Sequence, residues 1–143
     1  MSENIITKLQ NGVLHIILNR AKKKNALTRD MYAGMADALE KGENDPTVRV
    51  FLIYGEGDSF CAGNDLKDFQ NPLPAGQRNP SGDFVKFILN AKKPIIAAVH
   101  GYAIGIGVTM LFHCDIIYAA ENAKLRLPFV NLEIGRASCR ERV

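Results

Sequence analysis

Two glycine-bearing turns hold the residues best placed for chemistry. The first is Ala62-Gly63-Asn64-Asp65 and the second is Gly101-Tyr102-Ala103-Ile104-Gly105-Ile106-Gly107. Each follows an apolar run that reads as a strand, and the second opens a helix. Turns of this kind expose backbone N–H groups at a helix start, where the positive end of the dipole collects. Two such donors converging on one oxygen make an oxyanion hole, often the largest single contribution to catalysis. The same glycines also suit tight turns with no chemistry at all. A dinucleotide fingerprint fits them poorly, because Met110 stands where the third small residue after Gly105-x-Gly107 belongs. Among nearby side chains, Asp65 is expected to cap the helix that follows it. His100 and His113 read as structural, and Cys61 and Cys114 as small core residues.

The elements that must position these turns are legible as apolar periodicity. Ile5 to Leu9 and Val13 to Leu18 are short apolar runs split by Gln10-Asn11-Gly12, a strong hairpin signal. A basic loop, Asn19 to Ala26, leads to Thr28, a helix cap, after which Met31, Met35, Ala38 and Leu39 recur at helical spacing. Gly42 is the expected stop. Val48 to Tyr54 reads as a strand covered on both faces, as in parallel sheets. Asn71 to Gly82, with Pro72, Pro74, Pro80 and two glycines, reads as a loop. A helix over Asp83 to Lys92, with Phe84, Phe87, Ile88 and Ala91 on one face, comes next. A strand over Ile95 to Val99, a short buried helix over Val108 to Phe112 and a strand over Cys114 to Ala120 complete the pattern. The alternation predicts an α/β fold.

Composition narrows the function classes. The 143 residues fit one domain or most of one. A hydrophobic fraction of 47% supplies a core and argues against disorder. The net charge of +3, from 18 basic and 15 acidic residues, gives no footprint for nucleic acid. Three cysteines, Cys61, Cys114 and Cys139, form no disulfide framework, and with no Cys-x-x-Cys no metal site is expected. No apolar run reaches membrane-spanning length and no signal-peptide core is visible, so a cytoplasmic location is expected.

Four segments taken together resemble the crotonase (enoyl-CoA hydratase/isomerase) superfamily in order and spacing. They are Asn19-Arg20 with Asn25-Ala26-Leu27; Phe60-Cys61-Ala62-Gly63-Asn64-Asp65-Leu66; Lys93-Pro94-Ile95-Ile96-Ala97-Ala98-Val99-His100-Gly101-Tyr102-Ala103; and Cys114-Asp115-Ile116-Ile117-Tyr118-Ala119. The resemblance runs from about Ile5 to Leu132. It implies an α/β, crotonase-type spiral of ββα units and an acyl-CoA thioester as substrate. Coenzyme A is then part of the substrate, and no separate cofactor or metal is implied. The intact protein would form homotrimers or dimers of trimers. Carried over by position, the oxyanion donors are the amides of Asn64 and Ile106. Lys24, Ala26, Ala62, Gly63, Asp65, Leu66, Tyr102, Ile104, Gly105, Thr109 and Phe129 are implied to contact the substrate. Lys22, Lys23 and Lys24 either neutralise its nucleotide phosphates or form a solvated loop.

The chain departs from the hydratase pattern at both acid/base positions. Family hydratases carry a glutamate two residues after the last glycine of the second turn, where Thr109 stands, and a second one after a proline, where Phe129 follows Pro128. Hydration needs one group to activate water and another to protonate carbon, and neither Thr nor Phe does either. Ile106 also replaces a glycine, which keeps the N–H and narrows the pocket. The pattern is closer to the isomerases that use one carboxylate from a Pro-Glu pair beyond Leu132. From Glu133 to Val143 the text resembles nothing in the family and reads as an in-frame translation of a sequencing adapter. Residues 1–132 are therefore expected to be the N-terminal part of a crotonase domain and 133–143 a non-native tail. As written, the fragment is expected to be inactive, to stay unassembled and to expose apolar surface on its last strands.

Overall fold

The chain folds as strand, short extended segment and helix, repeated. The computed structural model describes residues 3–131. Residues 133–143, read above as a non-native tail, lie outside the described residues together with Cys139.

Strands β1 (Ile5–Gln10) and β2 (Val13–Leu18) form the expected hairpin, with Gln10 opposite Val13. The two loop residues both take positive φ, 52° at Asn11 and 80° at Gly12, as the right-twisting hairpin turn demands. A single 3-10 turn, Ala21–Lys23, leads into helix α1 (Arg29–Asn44). Thr28 caps α1 as expected, accepting from the Met31 amide at 3.3 Å. Strand β3 (Val50–Gly55) pairs with β2 in parallel. Helices α2 (Leu66–Gln70) and α3 (Pro80–Asn90) follow, then β4 (Ile95–Val99) and β5 (Tyr102–Ile104). Helix α4 (Ile106–Thr109) continues as a 3-10 turn to His113, and β6 (Ile116–Ala119) and β7 (Lys124–Arg126) complete the described part.

The larger sheet runs β1-β2-β3-β4-β6 and is parallel after the hairpin. A second layer is built from shorter pieces. β5 pairs with β7 in parallel, and single parallel bridges join Cys61 to Ala103 and Leu27 to Asn64. The first pass gives the β1–β2 hairpin to the large sheet and each later pass gives one strand; every pass adds a short segment to the second layer, and the first three also add helix. This is the expected ββα spiral. Its core lies between α1 and the sheet, where Met31, Met35, Leu39, Phe51 and Ile53 are buried with Phe60 and Phe84.

Four expectations are corrected. Gly42 does not stop α1, which runs on to Asn44. A Cβ at Gly42 would lie 2.3 Å from the Phe51 ring, so this glycine permits close helix–sheet packing instead. Helix α3 starts at Pro80, not Asp83: Asn79 caps it, and proline is well suited to a first helical position, where no N–H bond is required. The second glycine-bearing turn contains a strand, β5, and Lys124–Arg126 forms another, β7. Three-residue strands carry too little periodicity to be read locally. The strand expected from Cys114 to Ala120 shortens to β6, and all its residues are exposed. Ile116, Ile117 and Tyr118 are 48%, 45% and 65% exposed, which agrees with the expected apolar surface on the last strands. Among the described residues, no helix is long and apolar enough to cross a membrane.

Candidate functional site

The first turn is held from one side. The Leu27 amide donates to Gly63 O at 2.7 Å, and the Asp65 amide donates to Leu27 O at 2.9 Å. In a parallel bridge these bonds flank the central residue, so the Asn64 N–H points away from Leu27. The second turn is fastened to the first. The Cys61 amide donates to Tyr102 O at 3.0 Å, the Ile104 amide to Cys61 O at 2.9 Å, and the Gly105 amide to Arg126 O at 2.9 Å. Gly107 makes the approach possible: a Cβ there would sit 2.6 Å from Cys61 O. Gly105 O accepts from the Val108 and Thr109 amides, at 2.9 and 3.0 Å. The Ile106 amide, at the first position of α4, has no intrahelical acceptor.

Asn64 and Ile106 line one cavity of about 410 Å³, and Thr109 and Phe129 line it with them. Tyr32, Asn79, Ser81, Gly82 and Val85 complete the wall, so among the described residues it carries no carboxylate and no histidine. A second cavity of about 410 Å³ shares Tyr32, Asn64, Asn79 and Ser81 and adds Asp65 and Asp68. Both of these carboxylates are engaged. Asp68 Oδ2 accepts from the Arg29 amide at 2.8 Å. Asp65 accepts from Arg20 Nη1 at 2.8 Å and caps α2 through the Lys67 amide at 3.0 Å. The Arg20 guanidinium and the capping amide hold the Asp65 carboxyl below the usual carboxylate range, which suits a structural role better than proton transfer.

The Asp65 carboxyl is lower in the folded than in the unfolded state. Its contribution to stability is therefore present above the unfolded pKa, near 4, and is lost as pH falls through the folded value. Asp65→Asn keeps a good N-cap and removes only the charge. The variant is expected to be about 1 kcal/mol less stable than the parent at pH 7. In urea melts across pH, that gap should narrow as pH falls through the folded value and close once the carboxyl is protonated in both states. A gap that stays constant down to acid pH would remove the ion pair from the account.

The remaining candidate residues, Lys24, Ala26, Ala62, Gly63, Leu66, Tyr102, Ile104 and Gly105, line neither of these two cavities. The Ala62 amide donates to Lys24 O at 2.9 Å, which fastens the loop holding Lys24 and Ala26 to the first turn. The Lys24 ammonium pairs with Asp58 Oδ2 at 2.9 Å and stands 5.8 Å from the Tyr102 ring centroid. Lys124 approaches the same ring at 5.7 Å. Tyr102 is half-exposed, and Leu66 is exposed on α2. Gly63 approaches the second turn closely: a Cβ on it would meet Ile104 O at 3.2 Å. His100 Nε2 lies 2.7 Å from Gly57 O, consistent with a structural histidine, and Cys61 is fully buried.

Sequence reasoning passed over Tyr32. The helical spacing read in α1 runs through Met31 and Met35, and Tyr32 sits beside them as one more buried residue. The missed signal is chemical: a buried tyrosine normally finds a partner for its hydroxyl. Here the Tyr32 hydroxyl donates to Asn64 Oδ1.

Strand–strand–helix passes that bring two turns onto one cavity define an α/β protein of the crotonase class. The chain belongs to the enoyl-CoA hydratase/isomerase family, whose family model matches residues 8–141. It is similar to the 1,2-epoxyphenylacetyl-CoA isomerase of Escherichia coli, 36% identical over 140 residues, covering 92% of this chain and 53% of the relative. It is 33% identical over 144 residues to human enoyl-CoA delta isomerase 2, covering 96% of this chain and 36% of that protein. A solved enoyl-CoA hydratase/isomerase from Pseudoalteromonas atlantica superposes with a TM-score of 0.86 at 44% identity, covering 90% of this chain and 51% of that one. The chain thus spans about half the length, or less, of the relatives it matches.

Proposed function

We propose that this chain provides the thioester-binding half of an enoyl-CoA isomerase that converts a 3-enoyl-CoA to a 2-enoyl-CoA. The observation that carries the reading is that Asn64 and Ile106, from two separate turns, line one cavity with no carboxylate in its described wall. The two amides would receive the thioester oxygen. A single base removes a proton from C2, the electron pair spreads onto that oxygen and toward C4, and the proton is returned at C4. The amide hydrogen bonds strengthen as charge develops, which lowers the barrier rather than only tightening binding.

Thr109 and Phe129, which line the cavity, stand where the resemblance places both hydratase glutamates, and neither transfers protons. An isomerase needs one carboxylate, and the described wall holds none, so the base is assigned to a segment beyond residue 131. The same bare wall gives a second reading, a non-catalytic acyl-CoA-binding module. Enoyl-CoA hydratase is the remaining alternative, and the two missing glutamates count against it.

The test is to express the protein from its native gene and assay 3-enoyl and 2-enoyl thioesters side by side. Isomerisation of the first with negligible hydration of the second is expected. Hydration at an ordinary turnover rate overturns the isomerase reading. Tight acyl-CoA binding with neither reaction establishes the binding module.

A further inference from the structure

The side chain of Asn64 poses a problem for the site just described. Asn64 is exposed and lines the cavity together with Ile106, so its Oδ1 adds a hydrogen-bond acceptor to the residue that supplies one of the two amides assigned to the thioester oxygen. A free carboxamide could turn its own oxygen toward those donors, as asparagine side chains do with nearby backbone. The structure supplies something that prevents this. The Tyr32 hydroxyl donates to Asn64 Oδ1. Tyr32 is itself rigidly placed: it is 5% exposed, its amide bonds to Thr28 O at 3.0 Å in the capped first turn of α1, and its ring packs at 5.7 Å and 51° against Phe84 of α3.

We propose that Tyr32 is a positioning residue, whose hydroxyl holds the Asn64 carboxamide oxygen out of the oxyanion site and fixes the first turn so that the Asn64 amide faces bound thioester. The inference rests on the oxyanion reading above. Leu27 fixes the Asn64 backbone from the far side through its bridge, and Tyr32 fixes the side chain from α1. Burial pushes the Tyr32 phenol well above its usual range, so it remains an O–H donor throughout any practical assay pH.

The test uses the protein expressed from its native gene. Tyr32→Phe removes one oxygen and keeps the ring against Phe84. It is expected to lower kcat about 10-fold with KM within about 2-fold, the signature of a misplaced donor rather than lost binding. On an Asn64→Ala background, which has no carboxamide to restrain, the same change is expected to cost less than about 2-fold. An unchanged kcat in Tyr32→Phe overturns the proposal. So does an equal loss on both backgrounds, or a lowered Tm and raised KM at constant kcat. The carbonyl stretch of bound acyl thioester gives a readout independent of turnover. It should move to lower frequency in the parent and by less in Tyr32→Phe. A parent that lowers the stretch without isomerising overturns the isomerase reading and leaves the role of Tyr32 standing. An equal stretch in parent and variant overturns the role of Tyr32 alone.

Discussion

Replacing Ile106 by proline should reduce kcat by about 10²- to 10³-fold while the protein stays folded. Ile106 is the first residue of α4, and its amide has no intrahelical acceptor. Proline is tolerated at that position because the N–H it lacks is not used by the helix and its fixed φ suits the first turn. The substitution therefore deletes one proposed oxyanion donor at little cost to the backbone. The magnitude follows from what one preorganised donor contributes to a developing negative charge. Loss of side-chain volume is separated by Ile106→Val, which retains the amide and should lose far less. Steady-state kinetics with a 3-enoyl thioester, beside thermal melts, reads the result. A proline variant that keeps wild-type kcat would show that the Ile106 amide does not bear charge in the transition state.

The second large effect is on stability, at Asn25. This residue is fully buried in the loop before α1. Its Nδ2 donates to Glu56 O and to Ser59 O, both at 2.8 Å, and its Oδ1 accepts from the Arg20 amide at 2.8 Å. One carboxamide thus ties the loop after β2 to the loop after β3, just ahead of both segments that converge at Asn64. Asn25→Ala removes all three bonds and leaves their backbone partners without a replacement. The expected loss is about 3–4 kcal/mol. For a domain of this size, that lowers Tm by roughly 10 °C. The backbone adds a smaller penalty, since φ at Asn25 is 57°, a region asparagine tolerates and alanine does not. Asn25→Gly removes that penalty alone and should be about 1 kcal/mol less damaging than Asn25→Ala. Urea unfolding of the three proteins measures both quantities. A loss below about 1 kcal/mol in the alanine variant would contradict the tie between the loops.

Both predictions concern residues that stood out in the sequence for different reasons. Ile106 was legible because a glycine-spaced segment follows an apolar strand and opens a helix. Asn25 was legible only as part of the family-like Asn25-Ala26-Leu27 text, and nothing local indicates that its side chain serves three backbone groups. Tyr32 was not legible as a site residue at all, because its neighbours in α1 account for it as core. Phe129 and Thr109 could be named by position, but only the folded chain brings them to the same wall as Asn64.

What the sequence determined by itself are the features whose cause lies within a few residues. Asn11-Gly12 demands the hairpin, Thr28 and Asp65 cap their helices, and long apolar runs become strands wherever they sit. The tertiary structure decided whatever depends on atoms distant along the chain. Gly42 serves Phe51 rather than ending a helix, β5 exists because β7 and Cys61 pair with it, and Tyr32 reaches Asn64 from another element. A three-residue strand or a single hydroxyl has no periodicity of its own. Its position is set by the partner that satisfies its hydrogen bonds, and the spiral is what brings that partner within reach.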